Sequence, residues 1–203
     1  MIWKLIFSGV GGQGVISAGI LLSEAAVIHE SRYAVQSQSY GAEMRGGLTR
    51  ADVTISDDPV IYPKVDQAHV LVCLHRKGLS AHLRALRPGG ILITDRDEAP
   101  VTTRVDCRQY ELPIAATCRD ELGSSRGANI CLLGILCAIT GVVAADSLNQ
   151  AIEERFAAKS TEARDANRRA LSLGVEIGSD LQTRAAAAGE SDRRGRHASS
   201  ARV

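Results

Sequence analysis

The segment WKLIFSGVGGQGVISAGILLSEAAVIHE, residues 3–30, restricts the fold more than any other stretch of the chain. Residues 3–10 are mostly apolar and read as a buried strand. Gly11, Gly12 and Gly14 then turn the chain, and residues 15–30 repeat apolar side chains at helical spacing. A strand that passes through so tight a turn into a helix belongs to an α/β unit, in which the helix packs back on the sheet. The alternation continues. YAVQSQ (33–38) reads as a short strand and SYGAEMRGG (39–47) as a polar, glycine-bounded loop. In LTRADVTIS (48–56) Ala51, Val53 and Ile55 share one face, while Arg50, Asp52 and Thr54 share the other.

AHVLVCL (68–74) is a continuous apolar run, as expected of a strand covered on both faces. A helix to about Arg87, a turn at RPGG, and strands at 91–95 and 104–112 follow. Helices are expected over about 113–122, 127–143, 147–158 and 160–177. The fold class is therefore α/β: a single three-layer α/β/α domain over 1–181, with an open, mostly parallel Rossmann-like sheet. From Gln182 the composition shifts to Ala, Arg, Ser and Gly without apolar periodicity, which predicts a disordered tail over 182–203. Its five arginines against Glu190 and Asp192 carry +3, which leaves −2 on the domain out of a net +1.

That charge balance, with aromatic residues at 3%, argues against a nucleic-acid partner. No secretory signal opens the chain. The most apolar segment, ANICLLGILCAITGVVAA (128–145), approaches a membrane span in length, but Gly134 and Gly141 interrupt it and no basic cluster flanks it. It reads as a buried helix of a domain outside the membrane. Cys73, Cys107, Cys118, Cys131 and Cys137 form no C-x-x-C pair, and the nearest two lie six positions apart on a helix. They read as small buried residues in a reducing cytoplasm, not as a metal site. His29, His69, His75 and His82 lack a second ligand at suitable spacing, and Asp95 and Asp97 read as a cap or turn.

Gly9-x-Gly11-x-x-Gly14 has the spacing of a phosphate-binding turn. Glycine there permits positive φ and close backbone approach, and the helix start offers free N–H groups to an anion. A nicotinamide dinucleotide site also needs an acid at the end of the next strand; here that neighbourhood reads Arg32, Tyr33, Ala34, Val35, Gln36, Ser37. A P-loop is excluded, since no Gly-Lys-Ser/Thr follows. The residues alone leave open a turn that binds nothing, and a stand-alone dinucleotide- or phosphate-binding module or sensor without redox activity.

GVGGQGV (9–15), SYGAEMRGG (39–47) and GANICLLG (127–134) occur in that order. With the helical stretch from SLNQAIEERF to about 178, this pattern resembles the gamma subunit of the 2-oxoacid:ferredoxin oxidoreductases, which act on 2-oxoglutarate, pyruvate and other 2-oxoacids. The resemblance implies a cytoplasmic, multisubunit enzyme that turns a 2-oxoacid and coenzyme A (CoA) into an acyl-CoA and passes electrons to ferredoxin. Thiamine diphosphate, Mg2+ and 4Fe–4S clusters are then expected on alpha and beta subunits and a ferredoxin-like delta subunit. None is expected on this chain, which carries no catalytic residue of its own. Gly11, Gly12, Gln13 and Gly14 are candidates for the phosphates of CoA. Ser39, Tyr40 and Arg45 are candidates for completing that pocket or for a subunit contact, in which Glu43 and Arg45 would pair. The motif wording leans toward 2-oxoglutarate.

Overall fold

The computed structural model describes residues 1–41, 46–100 and 106–200, with side chains described as far as residue 187. The strands are β1 (Ile2–Val10), β2 (Tyr33–Tyr40), β3 (Leu48–Ser56), β4 (Ala68–Cys73), β5 (Leu86–Asp95) and β6 (Arg108–Leu112). The helices are α1 (Val15–Glu24), α2 (Arg76–His82), α3 (Ile114–Leu122), α4 (Ala128–Thr140), α5 (Ala145–Arg155) and α6 (Thr161–Ser200). The strands form one sheet in the order β2-β3-β1-β4-β5-β6. The pairs β1–β4, β4–β5 and β5–β6 are parallel, whereas β3 runs antiparallel to both β1 and β2. The expected α/β class and largely parallel sheet are thus present, with one reversed strand set beside β1.

Period-two alternation sorts the strands onto two faces. Leu5, Phe7, Val70, Val72, Ile91 and Ile93, with Ala51, Val53 and Ile55 of β3, pack under α1 and α3–α6 and form the main core. Ile6, Leu71, Cys73 and Leu92 point the other way, where Leu79 and Leu83, on and just past α2, cover them. On that second face β3 presents Arg50 and Asp52, as its alternation predicts. Arg50 donates from Nε to Asp52 Oδ1 at 2.6 Å and from Nη2 to Oδ2 at 3.0 Å, and Val65 N donates to the same Oδ2 at 3.1 Å. The ion pair therefore pins the segment before β4 over the sheet.

The apolar segment is α4, the central helix, and most of its side chains are buried. Its glycine has a packing reason. A Cβ at Gly134 would stand 2.5 Å from the Leu171 carbonyl of α6 and 2.8 Å from Val175 N. Only glycine lets the two backbones approach this closely. Among the described residues no helix is long and apolar enough to cross a membrane.

Several boundaries differ from expectation: β2 runs on to Tyr40, into the expected loop, α4 ends at Thr140 and α5 at Arg155, and the largest shifts follow β4. The helix after β4 ends at His82, and β5 begins at Leu86 instead of Ile91. The RPGG turn lies inside β5 as an irregularity, where pairing with β4 skips from Leu86 to Ile91 and Gly89 takes φ +72°. One extra bend of this kind interrupts a ladder without ending the strand. In α6 the last contacts with the core come from Leu181 and from Gln182, whose amide donates to Ile139 O at 3.1 Å. Residues 183–187 are exposed. The helix continues to Ser200 through the stretch the composition sets apart, as four consecutive alanines favour.

Candidate functional site

The carboxyl ends of β1, β4, β5 and β6 lie along one edge of the sheet, where open α/β sheets bind ligands. The glycine loop leaves β1 at this edge. Gly12 and Gly14 take φ of +97° and +71°, conformations that disfavour any other residue. Gln13 closes the turn on itself: its N–H donates to Val10 O at 3.2 Å and its Oε1 accepts from Val10 N at 2.9 Å. Its Nε2 donates to Leu74 O at 2.7 Å, which ties the loop to the end of β4. Gly11 N donates to Gly47 O at 3.1 Å. That bond brings the first and second glycine motifs together. The third motif closes from the other side: Asn129 Nδ2 lies 3.4 Å from Gly14 O, and a Cβ at Gly14 would stand 2.7 Å from Asn129 Cγ.

A cavity of about 420 Å³ opens at this junction. Gly12, Gln13 and Gly14 form one wall and Asp95 and Glu98 a second, and Arg119, Arg126 and Asn129 are among the residues that complete it. Asp95 is 2% exposed and its carboxylate is fully engaged, accepting from Asp97 N at 3.1 Å and from Ala115 N at 2.9 Å. It is a cap, as read from the sequence. The N-termini of α1 and α4 both face the cavity, and neither has an acidic residue in its first turn or a side-chain cap. Arg119 and Arg126 offer anion donors alongside these helix starts, apart from the wall that carries the Asp95 and Glu98 carboxylates, so the lining is charge-balanced and not uniformly cationic.

The predicted site residues divide. Gly12, Gln13 and Gly14 line the cavity. Gly11 gives its N–H to Gly47 and Gln13 its side chain to the fold. Ser39 lines a separate hollow of about 400 Å³ on the α2 side of the sheet, with Arg50, Asp52, Lys64 and His82. Tyr40 ends β2 at 67% exposure. Arg45 and Glu43 lie outside the described residues. Arg119, Arg126 and Asn129 are the additions. An exposed arginine on a helix carries no local signal, but Asn129 sits inside the third motif, where its place two residues after Gly127 marks a helix start.

The thiols do not suit a metal cluster. Cys118 and Cys131 share a hydrogen bond between α3 and α4, which holds the Cys118 thiol below its usual range and pushes Cys131 up. Burial pushes Cys73 up and Cys137 up to about 12. A 4Fe–4S cluster needs converging thiolates; here Cys73, Cys131 and Cys137 are pushed away from the thiolate form, and no larger group of thiols converges among the described residues. Of the four histidines whose side chains are described, His69, His75 and His82 are tied through Nδ1 to Lys4 N, Lys77 N and Ser8 Oγ, and His29 Nε2 lies 3.5 Å from Glu154 Oε2 without a hydrogen bond. No group of three or more potential metal ligands converges among the described residues.

The family model for pyruvate ferredoxin/flavodoxin oxidoreductase matches residues 4–177. The chain belongs to this family. Within the family it is of the gamma-subunit type, an oxidoreductase component. The 2-oxoglutarate synthase subunit KorC of Methanocaldococcus jannaschii is 36% identical over 180 residues, 88% of this chain and 95% of that one. The keto/oxoacid ferredoxin oxidoreductase gamma subunit of Geobacter sulfurreducens superposes with a TM-score of 0.74 at 34% identity, over 87% of this chain and 98% of that one. At 20% identity the fold is shared with a 2-oxoglutarate:ferredoxin oxidoreductase of Magnetococcus marinus, solved with 2-oxoglutarate, coenzyme A and succinyl-CoA bound. There the TM-score is 0.79 and the match covers 88% of this chain and 31% of the longer one. In this family member Gly47 of the second motif and Asn129 of the third both meet the glycine loop.

Proposed function

We propose that this chain is the gamma subunit of a cytoplasmic 2-oxoglutarate:ferredoxin oxidoreductase, and that its sheet-edge cavity takes phosphates of coenzyme A. The whole enzyme consumes a 2-oxoacid carboxylate, the CoA thiol and two oxidised one-electron ferredoxin equivalents. It releases the acyl-CoA, CO2, a proton and two reduced equivalents. Thiamine diphosphate with Mg2+ supplies the carbon–carbon cleavage and iron–sulfur clusters the electron path, on alpha, beta and delta subunits. The donor set of this chain fits neither group, so no redox step is assigned to it.

What this chain does is bind and orient. Acyl transfer requires the CoA thiol to approach the reacting carbon, and binding at a distant phosphate fixes that approach. The cavity lined by Arg119, Arg126 and two uncapped helix starts is the observation that carries this reading. The KorC relatives favour 2-oxoglutarate. The test is anaerobic co-purification of the tagged chain from its own cells, followed by dye reduction with a panel of 2-oxoacids. Recovery of thiamine- and cluster-bearing partners with 2-oxoglutarate- and CoA-dependent activity is the expected result. A lone chain without activity refutes it.

A further inference from the structure

The sheet has two outer strands, and they differ in kind. β6 is five residues long and carries Arg108 and Glu111. A short, charged edge of this sort resists pairing with another strand. β2 is the opposite case. Its sequence YAVQSQSY has no charge, proline or glycine, and its pairing with β3 runs unbroken over all eight residues. None of the usual devices guards its open edge.

Hydrogen bonds at the end of the strand fix which groups face outward. Gly41 N donates to Leu48 O at 2.6 Å, and Gly47 O accepts from Gly11 N on the opposite side of β3. Bonded residues alternate along an antiparallel ladder. The odd-numbered residues of β2 therefore bond β3. The N–H and C=O groups of Ala34, Gln36, Gln38 and Tyr40 point to the free edge, without a hydrogen-bond partner among the described residues.

We infer that β2 pairs edge to edge with β2 of a second copy of this chain, antiparallel and two-fold about Ser37. This register is self-complementary. Gln36 stands opposite Gln38 of the second copy, and Gln38 opposite Gln36, so the amides bond across the seam. Tyr40, 67% exposed, stands opposite Ala34, and Tyr33, 49% exposed, opposite Gly41. Each large ring thus meets a small residue. Val35 stands opposite Ser39, and Ser37 opposite itself. Every outward N–H and C=O of Ala34, Gln36, Gln38 and Tyr40 gains a partner from the same residues of the other copy. A strand without charge meets no repulsion from its own copy, and a two-fold interface asks for this match of one surface with itself.

The experiment is disulfide trapping in the assembled oxidoreductase, purified anaerobically through this chain from its own cells. Ser37→Cys places one new thiol on each side of the two-fold. Directly opposed residues of such a pair have Cα atoms about 4.5 Å apart, within disulfide reach. Ser39→Cys leaves its two thiols more than about 13 Å apart, four residues along the strand and beyond that reach. After diamide treatment, non-reducing electrophoresis is expected to show a covalent pair of 21.6 kDa chains for Ser37→Cys. None is expected for Ser39→Cys, nor for the wild type with its own five cysteines. Gln38→Pro removes an outward N–H and no bond to β3. Added to Ser37→Cys, it is expected to abolish the pair at a matched thermal midpoint. A link from Ser37→Cys to a different subunit, no link, equal links from both positions, or a pair that survives Gln38→Pro overturns the inference. If the proline variant unfolds, the contrast between Ser37→Cys and Ser39→Cys decides alone.

Discussion

Gly14→Ala probes how the three motifs meet. The substitution meets two separate obstacles. At φ +71° an L-residue costs about 1–2 kcal/mol over glycine. The new methyl also stands 2.7 Å from Asn129 Cγ and 3.1 Å from its Cβ, so the side chain that anchors α4 must move. Overpacking of this kind costs about 1–3 kcal/mol. Together the expected loss is about 3 kcal/mol, or about 6–12 °C in Tm for a domain of this size. Urea unfolding followed through the sole tryptophan, Trp3, measures it; this ring packs edge-on to His69 with centroids 5.9 Å apart. The two obstacles separate in a double mutant. Asn129→Ala alone removes one long hydrogen bond, worth about 0.5–1.5 kcal/mol. In Gly14→Ala/Asn129→Ala the collision is gone and only the backbone strain remains. The double mutant is therefore expected to be more stable than the sum of the singles by about 1–2 kcal/mol. Strict additivity, or a Gly14→Ala loss below about 0.5 kcal/mol, refutes the close approach of Asn129 to the loop.

Gly134→Ala raises helix propensity but forces α4 from α6; a net loss of about 1–3 kcal/mol in urea titration is expected, and a gain refutes the backbone contact. Asp52→Ala leaves Val65 N without its acceptor and Arg50 with only the Val65 carbonyl and no counter-charge, for an expected loss of about 3 kcal/mol. Faster proteolysis within residues 57–67 reports it, and an unchanged cleavage rate contradicts the pin. The pH dependence follows from His82. Burial first, then the Arg50 charge, holds this imidazole below its usual range, against weaker opposing pulls from a Gly78 backbone hydrogen bond and from Asp52. The unfolded chain therefore binds the proton that the folded chain refuses. Stability is full above the unfolded value of about 6.5 and falls as pH drops below it, toward the lower folded value. His82→Gln is expected to flatten the unfolding free energy between pH 7 and 5; the same slope in the variant refutes the assignment.

The strands and helices were legible because apolar periodicity records which face is buried. Ala51, Val53 and Ile55 show it on β3, and the unbroken run of β4 shows a strand covered twice. The strand order was not legible. No local pattern states that β3 turns back and inserts beside β1, since pairing depends on which edges meet after folding. The glycine loop was legible as a site because positive φ leaves few residue choices. Arg119 and Arg126 were not, because an exposed arginine looks the same whether or not a cavity lies beneath it. Ser39 and Gly47 belong to one motif, yet Ser39 lines the hollow on the α2 side while Gly47 meets the glycine loop through its carbonyl.

The reversed strand also explains why a G-x-G-x-x-G loop here lacks the ribose acid of a dinucleotide site. In that site the strand after the first helix lies beside β1 and runs parallel to it, so its carboxyl end brings an acid to the loop. Here β2 is one strand removed, and the neighbour of β1 is β3, whose carboxyl end at Ser56 pairs with Ile2 at the opposite edge. No side chain at the end of either strand can take the ribose position. The loop has also given up donors. Gly11 N serves Gly47, Gln13 N serves Val10, and the Gln13 amide bridges β1 to β4. What remains open is the side toward α3 and α4, where Arg119 and Arg126 stand. A polyanion that uses this edge must therefore enter from the helical side, with its phosphates leading and its base held away from the sheet. The CoA proposed above is a ligand of this kind, with its reactive thiol far from its nucleotide.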